Sequence, residues 1–114
     1  MHSQLYLTGR VASLPELSQT QKGKLIVKLL LETEFVRSTA PGHYQTELVT
    51  LQVRFFSREA EAVRDAQVGD RLVVGAHLYP TRFEAPDGKV NHGIQIVADQ
   101  ILQVAARQRE ASYR

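Results

Sequence analysis

Two phenylalanines of this chain occur beside basic residues, in positions that favour an exposed ring. Phe56 lies in an alternating stretch, residues 46–57, and shares its polar side with Arg54. Phe83 follows another basic residue and comes shortly before the turn sequence Pro86-Asp87-Gly88. An exposed ring can stack on a planar base, and each such contact contributes about 1–3 kcal/mol. Both rings are therefore candidates for stacking, but the residues alone do not decide for it. The alternative is that Phe56 packs against a second subunit and Phe83 against its own hairpin.

A set of basic side chains lies on the predicted elements that carry these two rings. They are Lys22, Lys24, Lys28, Arg54 and Arg82, and Tyr79 adds a further aromatic ring close to the last of them. The turn, strands and hairpin that hold them would adjoin on a small barrel, so that as a set they could contact a phosphate backbone. Taken one at a time, each basic residue also fits an ordinary solvated surface.

The sequence offers little for other kinds of chemistry. Its four histidines, His2, His43, His77 and His92, lie on separate predicted elements without the spacing of metal ligands, and it contains no cysteine. There is no nucleophile–base–acid set and no glycine-rich phosphate loop in the sequence pattern. We therefore expect no metal, no cofactor and no enzyme activity.

Length and charge indicate one domain that carries its net positive charge at one end. A chain of 114 residues suits a single domain. There are 14 Lys and Arg against 12 Asp and Glu, but residues 107–114 hold three Arg and one Glu, which leaves the remainder neutral. We expect a folded domain over residues 1–106 and a short, basic, disordered tail over 107–114. The absence of a signal peptide, of a long apolar run and of cysteine favours a cytoplasmic protein that contacts no membrane.

Apolar residues recur mainly with a period of two, which is typical of β-strands. The alternation predicts strands over residues 4–12, 25–35, 46–57, 71–83 and 90–104, with Ile94 and Ile96 of the last strand facing inward. Residues 18–24 are predicted as a turn and residues 37–45 as a surface loop. Good helix formers over residues 58–66 predict one short helix, with Ser57 as its N-cap.

The order of these elements predicts an all-β fold. Because parallel pairing needs long crossovers and only one connection carries a helix, the sheet should be mostly antiparallel. Five strands with a helix between the third and the fourth follow the order of the OB-fold, a five-stranded Greek-key barrel.

Several short segments occur in an order that points to a known family. They are residues 5–11 (LYLTGRV), 14–17 (LPEL), 20–24 (TQKGK), 53–61 (VRFFSREAE), 68–72 (VGDRL), 82–83 (RF) with 87–88 (DG), and 96–99 (IVAD). With these segments, spread over residues 4–104, the chain resembles the bacterial single-stranded-DNA-binding proteins. The resemblance implies an OB-fold homo-oligomer, a tetramer or alternatively a dimer, that binds single-stranded DNA without sequence preference in replication, recombination or repair.

The resemblance also implies roles for particular residues. Phe56 stands where the family has a stacking phenylalanine, Phe83 where it has a stacking tryptophan, and Thr50 where it often has a second tryptophan. Family members usually carry a long tail with an acidic tip that recruits replication and repair proteins, whereas this chain ends in a basic segment. Two alternatives follow. One is an accessory protein of replication restart similar to primosomal replication protein N. The other is an OB-fold module that binds proteins, with Ile26 and Leu30 among its exposed apolar residues.

Overall fold

The computed structural model describes residues 4–105, most of which lie in β-strands. The elements are β1 (Gln4–Val11), β2 (Glu16–Gln19), β3 (Leu25–Ala40), β4 (His43–Phe56), α1 (Ser57–Val63), β5 (Arg71–Glu84) and β6 (Val90–Ala105). The predicted second, third, fourth and fifth strands correspond to β3, β4, β5 and β6. The short helix lies between β4 and β5, as the sequence predicted.

The five long strands form a closed barrel in the order β1-β5-β6-β4-β3, with β3 pairing back to β1. All pairings are antiparallel except that of β4 with β6, which is parallel. The β4–β6 pairing and the β1–β3 pairing each contain only three residue pairs. The short strand β2 adds to β3 outside this ring. The predicted OB-fold is therefore confirmed.

The interior of the barrel is filled by the apolar side of each strand. The fully enclosed side chains include Val27, Leu29, Leu31, Val53, Phe55, Leu72 and Val74, all with no exposed surface. Ala60 and Val63 of α1 pack against the same core. Alternation at a period of two predicted this interior because one face of each strand is buried there.

β1 can approach β3 closely because residue 9 is a glycine. A Cβ on Gly9 would lie 3.0 Å from the carbonyl oxygen of Glu32 and 3.0 Å from Cγ2 of Thr33. Both contacts are tighter than ordinary van der Waals packing. This glycine occupies an apolar position of the strand and allows the barrel to close there.

The predicted loop over residues 37–45 is wrong. β3 and β4 remain paired up to Ala40 and His43, and the hairpin turns through Pro41 and Gly42, the latter with φ of +79°. This part of the hairpin projects beyond the core, so both of its faces are exposed to solvent. Because neither face is buried, the sequence shows no alternation of apolar and polar residues there. Cross-strand contacts such as the ion pair between Arg37 and Glu47 accompany the pairing instead.

Three smaller predictions also need correction. Residues 18 and 19 belong to β2 rather than to a turn; every residue of this strand is exposed, so it has no hydrophobic signal. α1 begins at Ser57 and ends at Val63, and its N-cap is Phe56, without a side-chain hydrogen bond. Ile94 is 70% exposed rather than inward, because it lies where the β5–β6 hairpin has left the barrel.

Candidate nucleic-acid interface

One outward row of side chains crosses five strands of the barrel. Glu16 of β2 is paired with Lys28 of β3, which is paired with Arg54 of β4. Arg54 lies beside Val97 of β6, and Val97 is paired with His77 of β5. Because side chains alternate between the two faces of a strand, this row defines the outer face of the sheet.

The basic end of this face is built by the start of β3 and the turn before it. The turn is closed by hydrogen bonds from the backbone N–H of Thr20 to the Lys24 carbonyl, 2.9 Å, and from the Lys24 N–H to Oγ1 of Thr20, 3.1 Å. Gly23 supplies the positive φ of +83°. Lys22 and Lys24 are exposed on this turn, and Lys24 lies on the same side of the chain as Lys28.

Phe56 lies at the end of β4 on this outer face. It is paired with Ile26 of β3 and is partly buried, whereas its neighbour Phe55 points into the core with no exposed surface. Arg54 is two residues earlier on the same face. The structure therefore places the ring of Phe56 on one face with Lys28 and Arg54, next to the turn that carries Lys22 and Lys24.

The second aromatic group lies on the β5–β6 hairpin. Tyr79 and Phe83 alternate with His77 without an intervening bulge, so they continue the outer face that holds Arg54. Their exposed fractions are 50% and 62%. Arg82 has the opposite orientation and is paired with His92, so the structure separates it from the adjoining ring of Phe83.

The hairpin tip that carries Phe83 is internally hydrogen-bonded. The N–H of Ala85 donates to the Lys89 carbonyl at 2.8 Å, and the N–H of Gly88 donates to the Ala85 carbonyl at 2.9 Å. The carboxylate of Asp87 accepts from the Lys89 N–H at 3.0 Å. This turn fixes the end of the ladder, so the exposed ring next to it is held by a defined backbone.

Acidic side chains mark the other end of the outer face along β3. Glu32 is paired with Thr50, the position that the resemblance associates with a second tryptophan, and Glu34 is paired with Leu48. The same two glutamates line a cleft of about 420 Å³ together with Arg10, the cross-strand partner of Glu32, and Arg71. The charge at this end is therefore mixed, whereas the group near Phe56 is mainly basic.

The roles of two acidic residues near this face were missed by sequence reasoning. Glu16 belongs to the strand that the sequence did not reveal. The carboxylate of Asp99 contacts Nδ1 of His77, whose ring lies 6.3 Å from that of Tyr79 between centroids. This contact depends on the irregular β5–β6 register near Gly75 and Ala76, for which periodicity carries no signal. Phe35 and Tyr44, on the β3–β4 hairpin, are 46% and 70% exposed.

Within residues 4–105, no group of three or more His, Asp or Glu side chains is arranged to hold a metal ion. In the same part of the chain, no helix is long and apolar enough to cross a membrane.

Residues 2–104 match the model of the single-strand binding protein family. The chain belongs to this family. Among curated members, the single-stranded DNA-binding protein of Xylella fastidiosa is 24% identical over 106 residues, which cover 92% of this chain and 65% of that protein. The chain therefore spans slightly less than two-thirds of this relative's length. The single-strand binding family consists of DNA-binding proteins that are not enzymes.

A solved structure of the family shows the same fold. The single-stranded DNA binding protein from Thermus aquaticus, crystallised as a deletion mutant, superimposes with a TM-score of 0.74 at 24% identity. The match covers 86% of this chain and 48% of that one. The barrel described above is therefore the fold of a single-strand binding family member.

Proposed function

We propose that this family member binds single-stranded DNA without sequence preference. Bases stack on Phe56 and Phe83, with Tyr79 beside the latter, and phosphates contact the basic group Lys22, Lys24, Lys28 and Arg54. Family membership supports the ligand class. The observation that carries the binding mode is the single outer face, which runs from Phe56 and Arg54 across β6 to Tyr79 and Phe83. Stacking contacts of this kind tolerate any base because every base has a π-face.

Charge favours a path across the strands rather than along β3. Single-stranded DNA that followed β3 toward the β3–β4 hairpin would pass Glu32 and Glu34, whose carboxylates repel phosphates. Single-stranded DNA that crossed from β4 over β6 to β5 would contact Phe56 at one end of its path and Tyr79 and Phe83 at the other. Arg82, on the opposite face of the hairpin, reaches this path only by folding its long side chain around the edge of the ladder.

A tryptophan reporter tests this binding mode directly, because the chain contains no tryptophan. In Phe83→Trp, we expect oligo-dT to quench the intrinsic fluorescence as bases stack on the indole, and added salt to reverse the quenching. Val68→Trp, in the turn before β5, is the matched control and should show no quenching. If Phe83→Trp binds a labelled oligonucleotide and its indole fluorescence does not change, stacking at this site is contradicted.

We further propose that the chain forms a homo-oligomer, a tetramer in preference to a dimer, and acts in cytoplasmic replication, recombination or repair. β1 pairs with β3 only from Gly9 onward, so residues 4–8 present one strand edge without a partner in the described chain. Tyr6 of this segment is 64% exposed and Leu30 on β3 is 37% exposed. The molar mass from light scattering should be four times, or alternatively twice, the chain mass of 12.8 kDa. A monomer at micromolar concentration would contradict the proposed assembly.

A protein-interaction module is the second candidate function. The cleft lined by Arg10, Arg71, Glu32 and Glu34 contains no aromatic ring and carries both signs of charge, which favours a polar partner over a nucleic-acid strand. Failure of oligo-dT to bind at low salt would support this function over the first.

A further inference from the structure

The short strand β2 places a carboxylate against the centre of the basic group. Glu16 is the direct cross-strand partner of Lys28, and its Oε1 atom lies 3.9 Å from the lysine Nζ. The side chain of Glu16 is 73% exposed and that of Lys28 is 30% exposed. The carboxylate therefore lies on the solvent side of the lysine, where an incoming phosphate would also contact it.

The other neighbour of Lys28 carries the same charge as Lys28. Arg54 is its partner on β4, and like charges directly opposite each other on paired strands are destabilising. Arg54 forms no ion pair with any residue that the structure describes. The order of charge along the row is thus negative, positive, positive, and Glu16 is the group that offsets the repulsion in the free protein.

We propose that Glu16 is an intramolecular competitor for the DNA phosphate at Lys28 and Arg54. This inference rests on the proposed function. In the free protein, the carboxylate stands in for a phosphate beside the two cations. When a strand binds, the phosphate replaces it, and Glu16 turns into solvent. The residue thereby stabilises the unbound protein and lowers its affinity for single strands.

The size of the effect follows from the exposure of the pair. An exposed ion pair with a separation near 4 Å is weak, so a phosphate can displace the carboxylate without a large penalty. We expect Glu16→Gln to tighten binding of oligo-dT about two- to fivefold at low salt. The salt dependence should become steeper by up to about one unit, because Lys28 would then carry a counterion that the phosphate releases.

The test compares Glu16→Gln with Asp65→Asn, which changes net charge equally at an exposed residue after α1. Oligo-dT affinity is measured at several salt concentrations, and thermal unfolding is recorded without DNA. We expect Asp65→Asn to change affinity by less than about 1.5-fold. Only Glu16→Gln should lower the melting temperature at low salt, by about 1–3 °C, because the repulsion between Lys28 and Arg54 is then no longer offset by a carboxylate. High salt should remove that difference.

A double-mutant cycle with Lys28→Gln locates the effect. If Glu16 acts through the lysine, Glu16→Gln should tighten binding by less than about 1.5-fold when Lys28 is already replaced. The inference would be overturned if Glu16→Gln increased the affinity equally in the parent and in Lys28→Gln, or if its affinity equalled that of the parent. Either result would leave the proposed function intact. If neither the parent nor the variant binds oligo-dT at low salt, the proposed function fails and the inference fails with it.

Discussion

At the scale of single residues, the two phenylalanines of the proposed interface differ in how much they are buried. Phe83 is 62% exposed, so Phe83→Ala should cost about 1–3 kcal/mol of binding to pyrimidine-rich DNA with little loss of stability. Titration with oligo-dT and thermal unfolding measure the two quantities separately. Unchanged affinity together with a lower melting temperature would show that this ring serves packing.

Phe56 is partly buried beside Ile26, so its replacement should have two effects. Phe56→Ala should cost a similar amount of binding, about 1–3 kcal/mol, and should also reduce the free energy of unfolding because apolar contact is lost. Urea unfolding and oligo-dT titration on the same variant separate the two. A loss of stability alone would assign the ring to packing.

Charge reversal should change binding in a different way from loss of a ring. Arg54→Glu or Lys28→Glu removes a phosphate contact, so each should lower the slope of log affinity against log salt by about one unit. Phe83→Ala should leave that slope unchanged while it weakens binding. Parallel salt titrations of the three variants measure the difference, and an unchanged slope in Arg54→Glu would remove that residue from the interface.

At the scale of elements, the passage from β4 into α1 contains a strained residue. Ser57 has φ of 52°, in the left-handed region that costs an L-residue roughly 1–2 kcal/mol. Glycine adopts this conformation freely but loses more chain entropy on folding. We expect Ser57→Gly to raise the free energy of unfolding by about 0.5–1 kcal/mol. Ala62→Gly, in the last turn of the helix, is the control and should lower it by up to about 1 kcal/mol. Urea unfolding of both variants beside the parent provides the measurement.

The elements also show where prediction from sequence succeeds. Leu29, Val53 and Leu72 each lie on a strand with one buried face, so a period of two reveals these strands without further information. Tyr44 lies on a hairpin with two wet faces, and Leu17 on a strand that is exposed throughout. Pairing in those segments depends on neighbouring strands, which a local pattern does not encode.

The same reasoning applies to the interface. The outward position of Phe56 follows from the alternation of β4, and the turn after Phe83 follows from its residue types. That Arg82 and Phe83 point to opposite faces also follows from alternation, because they are consecutive residues of β5. That Glu16 adjoins Lys28, and that His77 lies beside Val97, depends on register. Register is set by bulges and by the length of each pairing, and these are properties of the folded sheet.

At the scale of the whole molecule, the net charge of +2 equals that of residues 107–114. This segment lies outside the described residues, so its predicted role rests on sequence alone. Deleting it should weaken binding slightly and equally for all DNA sequences, because its arginines add counterion release without reading bases. Salt titrations of oligo-dT and of a mixed-sequence strand provide the measurement. An unchanged salt slope would show that the segment takes no part.

The two short pairings that close the barrel have a consequence for the order of folding. They divide it into a β2–β3–β4 half and a β1–β5–β6 half, which meet at only three residue pairs on each side. Strands β3 and β4, and strands β5 and β6, join neighbours in sequence, whereas β1 must find β5 across most of the chain. Contacts between distant segments form slowly because loop closure must come first. The two hairpins should therefore form early, and the β1–β5 pairing and the two short pairings late. Amide hydrogens at Arg10 and Val97 should then report the docking of β1 and the β5–β6 hairpin onto the β3–β4 hairpin.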